Sequence, residues 1–254
     1  MKADKRRQHI LELVALEGRA SIGVLAQSLD VSEMTIRRDL TDLEAAGAIA
    51  RVHGGAVIPS GSSHEPPFGA RVRLNAAAKS AIAREVSSLI EDNSTVFLDG
   101  GSTGLAIAQA LVTRSMTVCT PSLRIADALK VASGIRLMMT GGVMRAREQS
   151  FTGSPAIEMI GNHRFDWYVM TVSGLDLEAG CTEWNLDDAA VKQAALASAR
   201  KTIVAADSSK IGAIAFARVC PIARVDAVVT TSDADRRFVE GLRKLEIMLE
   251  LVGE

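Results

Sequence analysis

Apolar positions in the first sixty residues repeat at helical spacing and predict three helices, over 4–17, 22–29 and about 32–45. The first helix carries an apolar stripe on one face: Ile10, Leu13, Val14 and Leu16. Ser21 and Ser32 precede the second and third helices, and a serine in this position accepts a hydrogen bond from a free backbone amide of the first turn. Since only two residues separate these two helices, the pattern predicts a helix-turn-helix.

The third predicted helix has two different faces at 100° per residue. Ile36, Leu40 and Leu43 share one narrow face and are expected in a core. In a helix-turn-helix the second helix enters the DNA major groove, where short polar residues and arginines reach base edges and phosphates. The candidate DNA contacts are therefore the residues of its start and of its polar face: Ser32, Met34, Thr35, Arg37, Arg38 and Thr41. A structural helical hairpin with solvated arginines is the alternative.

A β-hairpin is predicted after a helix stop at Gly47, reaching Ile58, with Arg51 and His53 at its tip as a wing that contacts the DNA backbone. The segment 59–67, PSGSSHEPP, is rich in proline, glycine and serine and is nearly free of large apolar residues. We therefore predict a DNA-binding domain over 1–58, a linker over 59–67 and a second domain over 68–254.

Strand and helix patterns alternate beyond Phe68, which predicts an α/β domain with a mostly parallel sheet. The predicted strands are 95–99, 116–120, 135–140, 166–172, 202–206, 226–231 and 247–251. The predicted helices are 75–91, 105–112, 122–131, 187–200 and 233–243, with a tight loop of sequence GGST before the second of them.

Ligands of open α/β sheets bind at the carboxyl ends of the strands, and polar residues of this chain cluster there. The clearest group suits a phosphate, because glycines let the backbone approach an anion and the following helix aims its amides at it: Asp99, Gly100, Gly101, Ser102 and Thr103. Later strand ends carry Thr120, Ser122, Gly141, Gly142, Gly174, Asp176, Asp207 and Lys210. Turn glycines, a capping aspartate and a solvated lysine are the structural alternatives.

Composition argues against some classes of protein but does not indicate a function. The 254 residues are 48% apolar and carry a net charge of −1, so a general polyanion binder is not indicated. Residues 1–58 contain eight Lys/Arg and eight Asp/Glu, but Lys5, Arg6 and Arg7 cluster at the start of the first helix, where they can neutralise phosphates locally.

Scattered cysteines and histidines indicate neither a disulfide framework nor a metal site, and no cofactor is expected. The three cysteines are expected as reduced, buried thiols. No apolar run approaches the length of a membrane span, and no signal-like segment follows the charged amino end. A cytoplasmic protein without a membrane partner is expected.

The motifs VSEMTIRRDL, LEAAG and RVHGGA closely resemble the amino-terminal domain of DeoR-type bacterial transcription regulators. LDGGST, the TGG at 140–142, Gly153, SGLD, GCTEWN and ADSSKIG resemble the sensor domain of the same family, which is itself similar to ribose-5-phosphate isomerases. The resemblance implies a winged helix-turn-helix and a phosphorylated-sugar site, with Gly101, Ser102 and Thr103 around the phosphate and Asp99, Asp176 and Lys210 nearer the sugar. Arg71 and Lys79 match basic positions of the family.

One departure from the family concerns Thr120, Pro121 and Ser122, where the family commonly has Thr-Asn-Ser. Proline lacks both an amide N–H and a carboxamide, so a different effector is expected.

Two function classes stay open. The favoured one is a homo-oligomeric repressor of carbohydrate genes, dimeric or tetrameric, that binds operator DNA and a phosphorylated sugar and is not an enzyme. The alternative is a sugar-phosphate isomerase with Asp176, Glu178 or Glu183 as base and Lys210 as electrostatic partner.

Overall fold

A computed structural model describes residues 3–17, 19–45, 48–57 and 61–253. The chain divides into two compact units, residues 1–74 and 75–254. The predicted helix stop at Gly47, the hairpin end at Ile58 and the first linker residues lie outside the described residues. The domain boundaries at 58 and 68 stay predictions.

The first unit contains four helices and a small antiparallel sheet of order β1-β3-β2 within the described residues. Its elements are α1 (Ala3–Glu17), β1 (Arg19–Ser21), α2 (Ile22–Leu29), α3 (Glu33–Ala45), β2 (Ala50–Val52), β3 (Gly55–Val57) and α4 (Phe68–Arg73). The predicted helix-turn-helix is confirmed, because only residues 30–32 separate α2 from α3. Ser21 caps α2 through a hydrogen bond from the Val24 amide at 3.2 Å. Asp30 turns the chain at φ 51°.

Apolar side chains of α1, α2 and α3 form the core of the first unit, with Ile10, Val14, Leu25, Ile36 and Leu40 fully buried. The predicted apolar stripe of α1 is confirmed for Ile10 and Val14, whereas the Leu16 side chain lies outside the description. Two elements were not predicted. The three residues of β1 are too few for an alternating pattern and are fixed by pairing with β3. The short α4 contacts α1.

The second unit is built around a seven-stranded sheet of order β15-β14-β12-β9-β4-β5-β6, in which every neighbouring pair is parallel. Its elements are α5 (Ala76–Leu89), β4 (Thr95–Leu98), α6 (Gly101–Leu111), β5 (Met116–Thr120), α7 (Leu123–Leu129), β6 (Ile135–Met139), β7 (Val143–Arg145), β8 (Ser150–Thr152), α8 (Ser154–Gly161), β9 (Phe165–Thr171), β10 (Gly174–Asp176), β11 (Gly180–Glu183), α9 (Leu186–Ser198), β12 (Ala199–Ala205), β13 (Ala217–Cys220), β14 (Ala227–Thr231), α10 (Arg236–Lys244) and β15 (Met248–Val252).

Successive strand residues point to opposite faces of the sheet, so the second unit has two apolar layers. Val96 and Leu98 of β4 belong to one layer, and Phe97 between them belongs to the other. Both faces are covered, which explains why these strands appear in the sequence as continuous apolar runs. The prediction of a mostly parallel α/β domain is confirmed.

The chain reverses its direction of travel across the sheet between β4 and β9. From β4 it moves outward through β5 to β6, then returns to the other side of β4 and continues through β9, β12, β14 and β15. Adjacent strands whose connections leave in opposite directions open a crevice at their carboxyl ends, where ligands of this fold class bind. The loops after β4 and β9 therefore frame the candidate site.

The predicted tight loop GGST is wrong in its extent, because α6 already begins at Gly101. Gly101 has φ +84°, a conformation that favours glycine, and Gly104 packs so closely on the end of β4 that a Cβ would lie 2.3 Å from the Asp99 carbonyl oxygen. Gly101 thus provides the backbone conformation at the start of α6, and Gly104 allows α6 to pack closely on β4. Short elements were also missed, since they are set by pairing and packing: β7, β8, α8, β10, β11 and β13.

Candidate functional site

The exposed face of α3 carries the residues predicted to contact DNA. Ser32 caps the helix, since its Oγ accepts a hydrogen bond from the Thr35 amide at 3.2 Å. Met34 is 74% exposed, and Arg37 and Arg38 are also exposed, with Arg37 3.4 Å from Glu33. The arrangement leaves two guanidinium groups and a flexible apolar side chain in solvent. The contacts with DNA stay a prediction.

The β2–β3 hairpin is attached to the carboxyl-terminal half of α3. The Arg51 amide donates to the Glu44 carboxylate at 3.1 Å, and the Arg51 guanidinium donates to Thr41 Oγ1 at 3.2 Å. His53 is exposed at the turn of the hairpin, next to Gly54 with φ +80°. The predicted wing is present, and its two polar side chains lie on a strand and turn that α3 holds in place.

Two arginines of α1 bind carboxylates of α3. Arg6 donates to both oxygens of Asp39, at 2.5 and 3.1 Å, and the two side chains are 12% and 4% exposed. Arg7 lies 2.6 Å from Asp42. The prediction that cations at the start of α1 neutralise phosphates is therefore wrong for Arg6, whose guanidinium forms an ion pair with Asp39 within the domain. Because the two acids are three residues apart on α3, both pairs orient the same helix.

Asp99 follows β4 and lies where the carboxyl ends of β4 and β9 meet. Its Oδ1 accepts from the Gly100 amide at 2.8 Å, and its Oδ2 accepts from the amide and hydroxyl of Thr171 at 3.0 and 3.1 Å. Lys192 of α9 also donates to Oδ2. The Asp99 carboxylate, which is buried, therefore joins the ends of the two strands at which the sheet topology reverses.

Lys192 is buried between two carboxylates. Its ammonium lies 3.2 Å from Glu183 and donates to the Thr171 carbonyl at 2.9 Å, in addition to its bond with Asp99. Glu183 also accepts from Ser173 and from the Trp184 amide. Burial opposes ionisation of Glu183, but Lys192 and these hydrogen bonds outweigh it and hold the pKa of Glu183 below its usual value.

The Glu183 carboxylate predicts a pH dependence of stability. Its pKa is lower in the folded state than the unfolded value of about 4.3, so ionisation stabilises the fold above that pH, and the contribution is lost as pH falls through the folded-state pKa. We expect Glu183→Gln to be about 1.5–3 kcal/mol less stable at pH 7, the range for hydrogen bonds to charged groups. Urea unfolding at pH 7 and pH 3.5 measures the difference in free energy of unfolding between the wild-type protein and the variant, which should be smaller at pH 3.5. A difference that does not change with pH contradicts the assignment.

The isomerase alternative assigned a base role to Asp176, Glu178 or Glu183 with Lys210 as partner. Asp176 instead accepts two turn amides, those of Glu178 at 2.8 Å and Ala179 at 2.9 Å. Glu183 is ion-paired with Lys192, as described. The ammonium of Lys210 lies 5.0 Å from the centre of the Trp184 ring. Asp176 thus shapes the β10–β11 turn.

The remaining predicted residues lie at the same carboxyl edge. Asp207 accepts from Asn75 at 2.9 Å and from the Ser209 hydroxyl at 2.5 Å, and caps the 3₁₀ turn Ser208–Lys210. Thr120 is fully buried at the end of β5, and Ser122 caps α7. Gly141 and Gly142 follow β6 in positive-φ conformations. The structure thus brings the ends of β4, β5, β6, β9 and β12 to one edge, and whether these residues bind an effector stays a prediction.

Several residues of the site were not predicted as such: Thr171, Ser173 and Lys192. Lys192 had a detectable signal, because it lies three residues from Ala189 and Ala195, both buried, in an otherwise small and apolar helix face. A lysine on such a face needs a buried anion. Thr171 ends the β9 strand and had no signal beyond that position, and Ser173 was noted only as the first residue of the SGLD motif.

Within 3–17, 19–45, 48–57 and 61–253, no group of three or more His, Cys, Asp or Glu residues is arranged to hold a metal ion. No helix in the described part of the chain is long and apolar enough to cross a bilayer.

Comparison with known proteins gives two family matches. A family described as the DeoR-like helix-turn-helix domain matches residues 6–62, and one described as the DeoR C terminal sensor domain matches residues 74–232. The glycerol-3-phosphate regulon repressor of Escherichia coli strain K12 is 34% identical over 252 residues, covering 99% of this chain and 100% of that protein. The putative aga operon transcriptional repressor of Escherichia coli O157:H7 is 33% identical over 253 residues, with coverages of 98% and 94%.

Among solved structures, ribose 5-phosphate isomerase A from Methanocaldococcus jannaschii aligns with 54% of this chain and 55% of its own, with a TM-score of 0.41 and 14% sequence identity.

Proposed function

The chain belongs to the DeoR family of transcription regulators, and from that premise we propose that it is a repressor of carbohydrate genes whose operator binding is controlled by a phosphorylated sugar or related metabolite. The observation that carries the proposal is the combination, in one chain, of a helix with exposed arginines and a cluster of polar residues at the carboxyl ends of β4 and β9, where the order of the sheet reverses. The two relatives described above carry the names of repressors. We propose a cytoplasmic location, because a repressor acts on chromosomal DNA.

The proposed DNA interface is the exposed face of α3 with its wing. Arg37 and Arg38 reach base edges and phosphates from adjacent directions, and Arg51 and His53 lie against the sugar-phosphate backbone beside them. Ser32, Met34, Thr35 and Thr41 complete the surface. The support is that Arg37, Arg38 and Met34 are exposed, while α1 and the wing hold the helix that carries them.

Alanine substitutions separate base contacts from backbone contacts. We expect Arg38→Ala or Arg37→Ala to weaken operator binding by about 1–3 kcal/mol and to reduce discrimination between sequences, as for an arginine paired with a guanine. Arg51→Ala is expected to weaken all DNA sequences alike and to lower the slope of affinity against salt by about one charge. Fluorescence anisotropy with operator and scrambled duplexes over a salt series measures both quantities.

Arg243→Ala is the matched control for these variants, because Arg243 is exposed on α10 in the second unit. It should bind operator with wild-type affinity. Normal binding by the Arg37 and Arg38 variants would show that α3 is not the recognition helix.

The proposed effector site is the crevice after β4 and β9. The amides of Gly101, Ser102 and Thr103 open α6, and a helix amino end of this kind binds a phosphate through free N–H groups and its dipole. The neighbouring strand ends add hydroxyls, glycines and charged groups: Thr120, Ser122, Gly141, Gly142, Asp207 and Lys210. In this proposal Asp99 and Asp176 position the loops, because their carboxylates are already hydrogen-bonded. The name of the Escherichia coli relative supports a phosphate monoester.

Effector binding alters DNA binding by its different affinity for two arrangements of a homo-oligomer, a dimer or tetramer. The test is an operator titration of the full chain with and without a panel of phosphorylated sugars and polyols, including glycerol-3-phosphate. A ligand at a hundredfold its Kd adds about 2.7 kcal/mol to stability, which thermal unfolding detects. If a member of the panel stabilises the chain but none changes its operator affinity, the result counts against an effector-controlled repressor. Conversion between ketose and aldose would favour the isomerase.

A further inference from the structure

Two of the three cysteines, far apart in sequence, are direct neighbours in the small sheet of order β10-β11-β13. Cys181 of β11 and Cys220 of β13 are Cα partners in an antiparallel pair, and a register shift follows between Cys181 and Thr182. Opposed residues of an antiparallel pair have Cα atoms about 4.5–5.5 Å apart. Disulfides span Cα separations of about 4.4–6.8 Å, so the strand pairing already meets this requirement.

Both of these cysteines are free and buried. The neighbouring Cys181 thiol and the charges of Arg224 and Arg218 lower the pKa of Cys220 below its usual value, although burial acts in the opposite direction. A thiolate is the reactive form of cysteine, and nearby cations favour it.

We propose that Cys181 and Cys220 form a hydroperoxide-sensitive modification site, at which oxidation joins β11 to β13 by a disulfide. A small oxidant is required because the Cys220 side chain reaches the surface only slightly, at 3% exposure for the residue. The exposed neighbours Arg218 and Arg224 mark the side from which it arrives.

The chemistry balances in two steps. The Cys220 thiolate attacks one oxygen of the hydroperoxide, the O–O bond breaks, and the departing oxygen takes a proton and leaves as water or an alcohol, so that Cys220 becomes a sulfenic acid. The Cys181 sulfur then attacks the Cys220 sulfur, an S–S bond forms, and the S–O bond breaks with loss of water that carries the Cys181 proton. The sulfur pair loses two electrons and the peroxide gains them.

Such a disulfide would act on the strand that carries Glu183. Glu183 follows Cys181 by two residues on β11 and is bound to Lys192, so a bond from Cys181 to β13 adds a covalent link to this strand two residues from the ion pair. Oxidation is therefore expected to stiffen the sheet that borders the crevice. Formation of this disulfide requires neither the effector nor DNA.

Cys119 is a matched internal control. It is fully buried on β5, its sulfur lies 4.0 Å from the Met159 sulfur, and burial raises its pKa to about 12. It therefore has neither a thiol partner nor the electrostatic help that Cys220 has. Of the three thiols, Cys119 should react last.

The experiment treats the reduced full chain with hydrogen peroxide, blocks remaining thiols by alkylation, and maps cysteine peptides by mass spectrometry. We expect the mass of the intact protein to fall by two hydrogens. The peptide map should contain a pair that links Cys181 to Cys220, and alkylation should be confined to Cys119. Cys181→Ser should instead retain a sulfenic acid at Cys220 that a dimedone probe labels. Cys220→Ser should leave Cys181 reduced.

Three outcomes would overturn the proposal. They are three intact thiols under peroxide that oxidises a control thiol, preferential oxidation of Cys119, and a disulfide found only between different chains. The mapping on the wild-type chain decides the matter even if a serine variant fails to fold.

Discussion

Replacing Lys192 by Met is expected to lower the free energy of unfolding by about 3–5 kcal/mol, the range for a buried ion pair that loses one partner. The substitution leaves the carboxylates of Asp99 and Glu183 buried in one crevice without the ammonium that lies between them. Neither side chain is more than 8% exposed, so water cannot take the place of Lys192. Urea unfolding at pH 7, followed by far-UV circular dichroism, measures the change.

Lys130→Met is the matched control for the Lys192 substitution. Lys130 pairs with Asp127 on the surface of α7, with both side chains more than 60% exposed, and its loss should change stability by no more than about 0.5 kcal/mol. Adding Asp99→Asn and Glu183→Gln to Lys192→Met should recover part of the loss, because the uncompensated charge is then removed. Wild-type stability of Lys192→Met would mean that the three groups are not a buried ionic cluster.

Replacing Arg6 by Met is expected to destabilise the DNA-binding unit by about 3 kcal/mol, toward the lower end of the same range because Arg6 keeps some contact with water. Asp39 then remains buried on the inner side of α3 without its guanidinium partner. Hydrogen–deuterium exchange of α1 and α3 peptides in the full chain measures the loss locally, and operator affinity should fall with it. The change is expected to be larger for Arg6→Met than for Asp39→Asn, which leaves the cation near solvent.

Lys5→Met controls for the loss of a positive charge beside Arg6, since Lys5 is exposed. It should leave exchange in α3 unchanged. If Arg6→Met also leaves that exchange unchanged, the pair with Asp39 does not hold the recognition helix. The double variant Arg6→Met with Asp39→Leu should restore much of the protection, because two apolar side chains replace an ion pair at little cost.

Features that depend on neighbours in sequence were predictable. The cap at Ser21 and the helix after it follow from hydrogen bonds over three residues, and β5 was located from a run of apolar residues. The exposed positions of Arg37 and Arg38 follow from helical periodicity alone. The parallel sheet then brought the predicted strand ends to one edge, as the alternation of helices and strands implied.

Features that depend on distant pairing were not predictable. Lys192 meets Asp99 across 93 positions, and Arg6 meets Asp39 across 33. Charge patterns do not show which of many acids a given cation contacts, so Arg6 was assigned to DNA rather than to the core. No disulfide framework was predicted for the same reason, since only the pairing of β11 with β13 makes Cys181 and Cys220 neighbours.

The division of the chain between Leu74 and Asn75 has an evolutionary consequence. The buried apolar clusters of the described residues lie wholly on one side of that division or the other. A genetic crossover at this point therefore cuts through no core, and each half keeps its own packing when joined to a new partner. Recombination of gene segments at this boundary therefore allows control of one promoter to pass to a different nutrient.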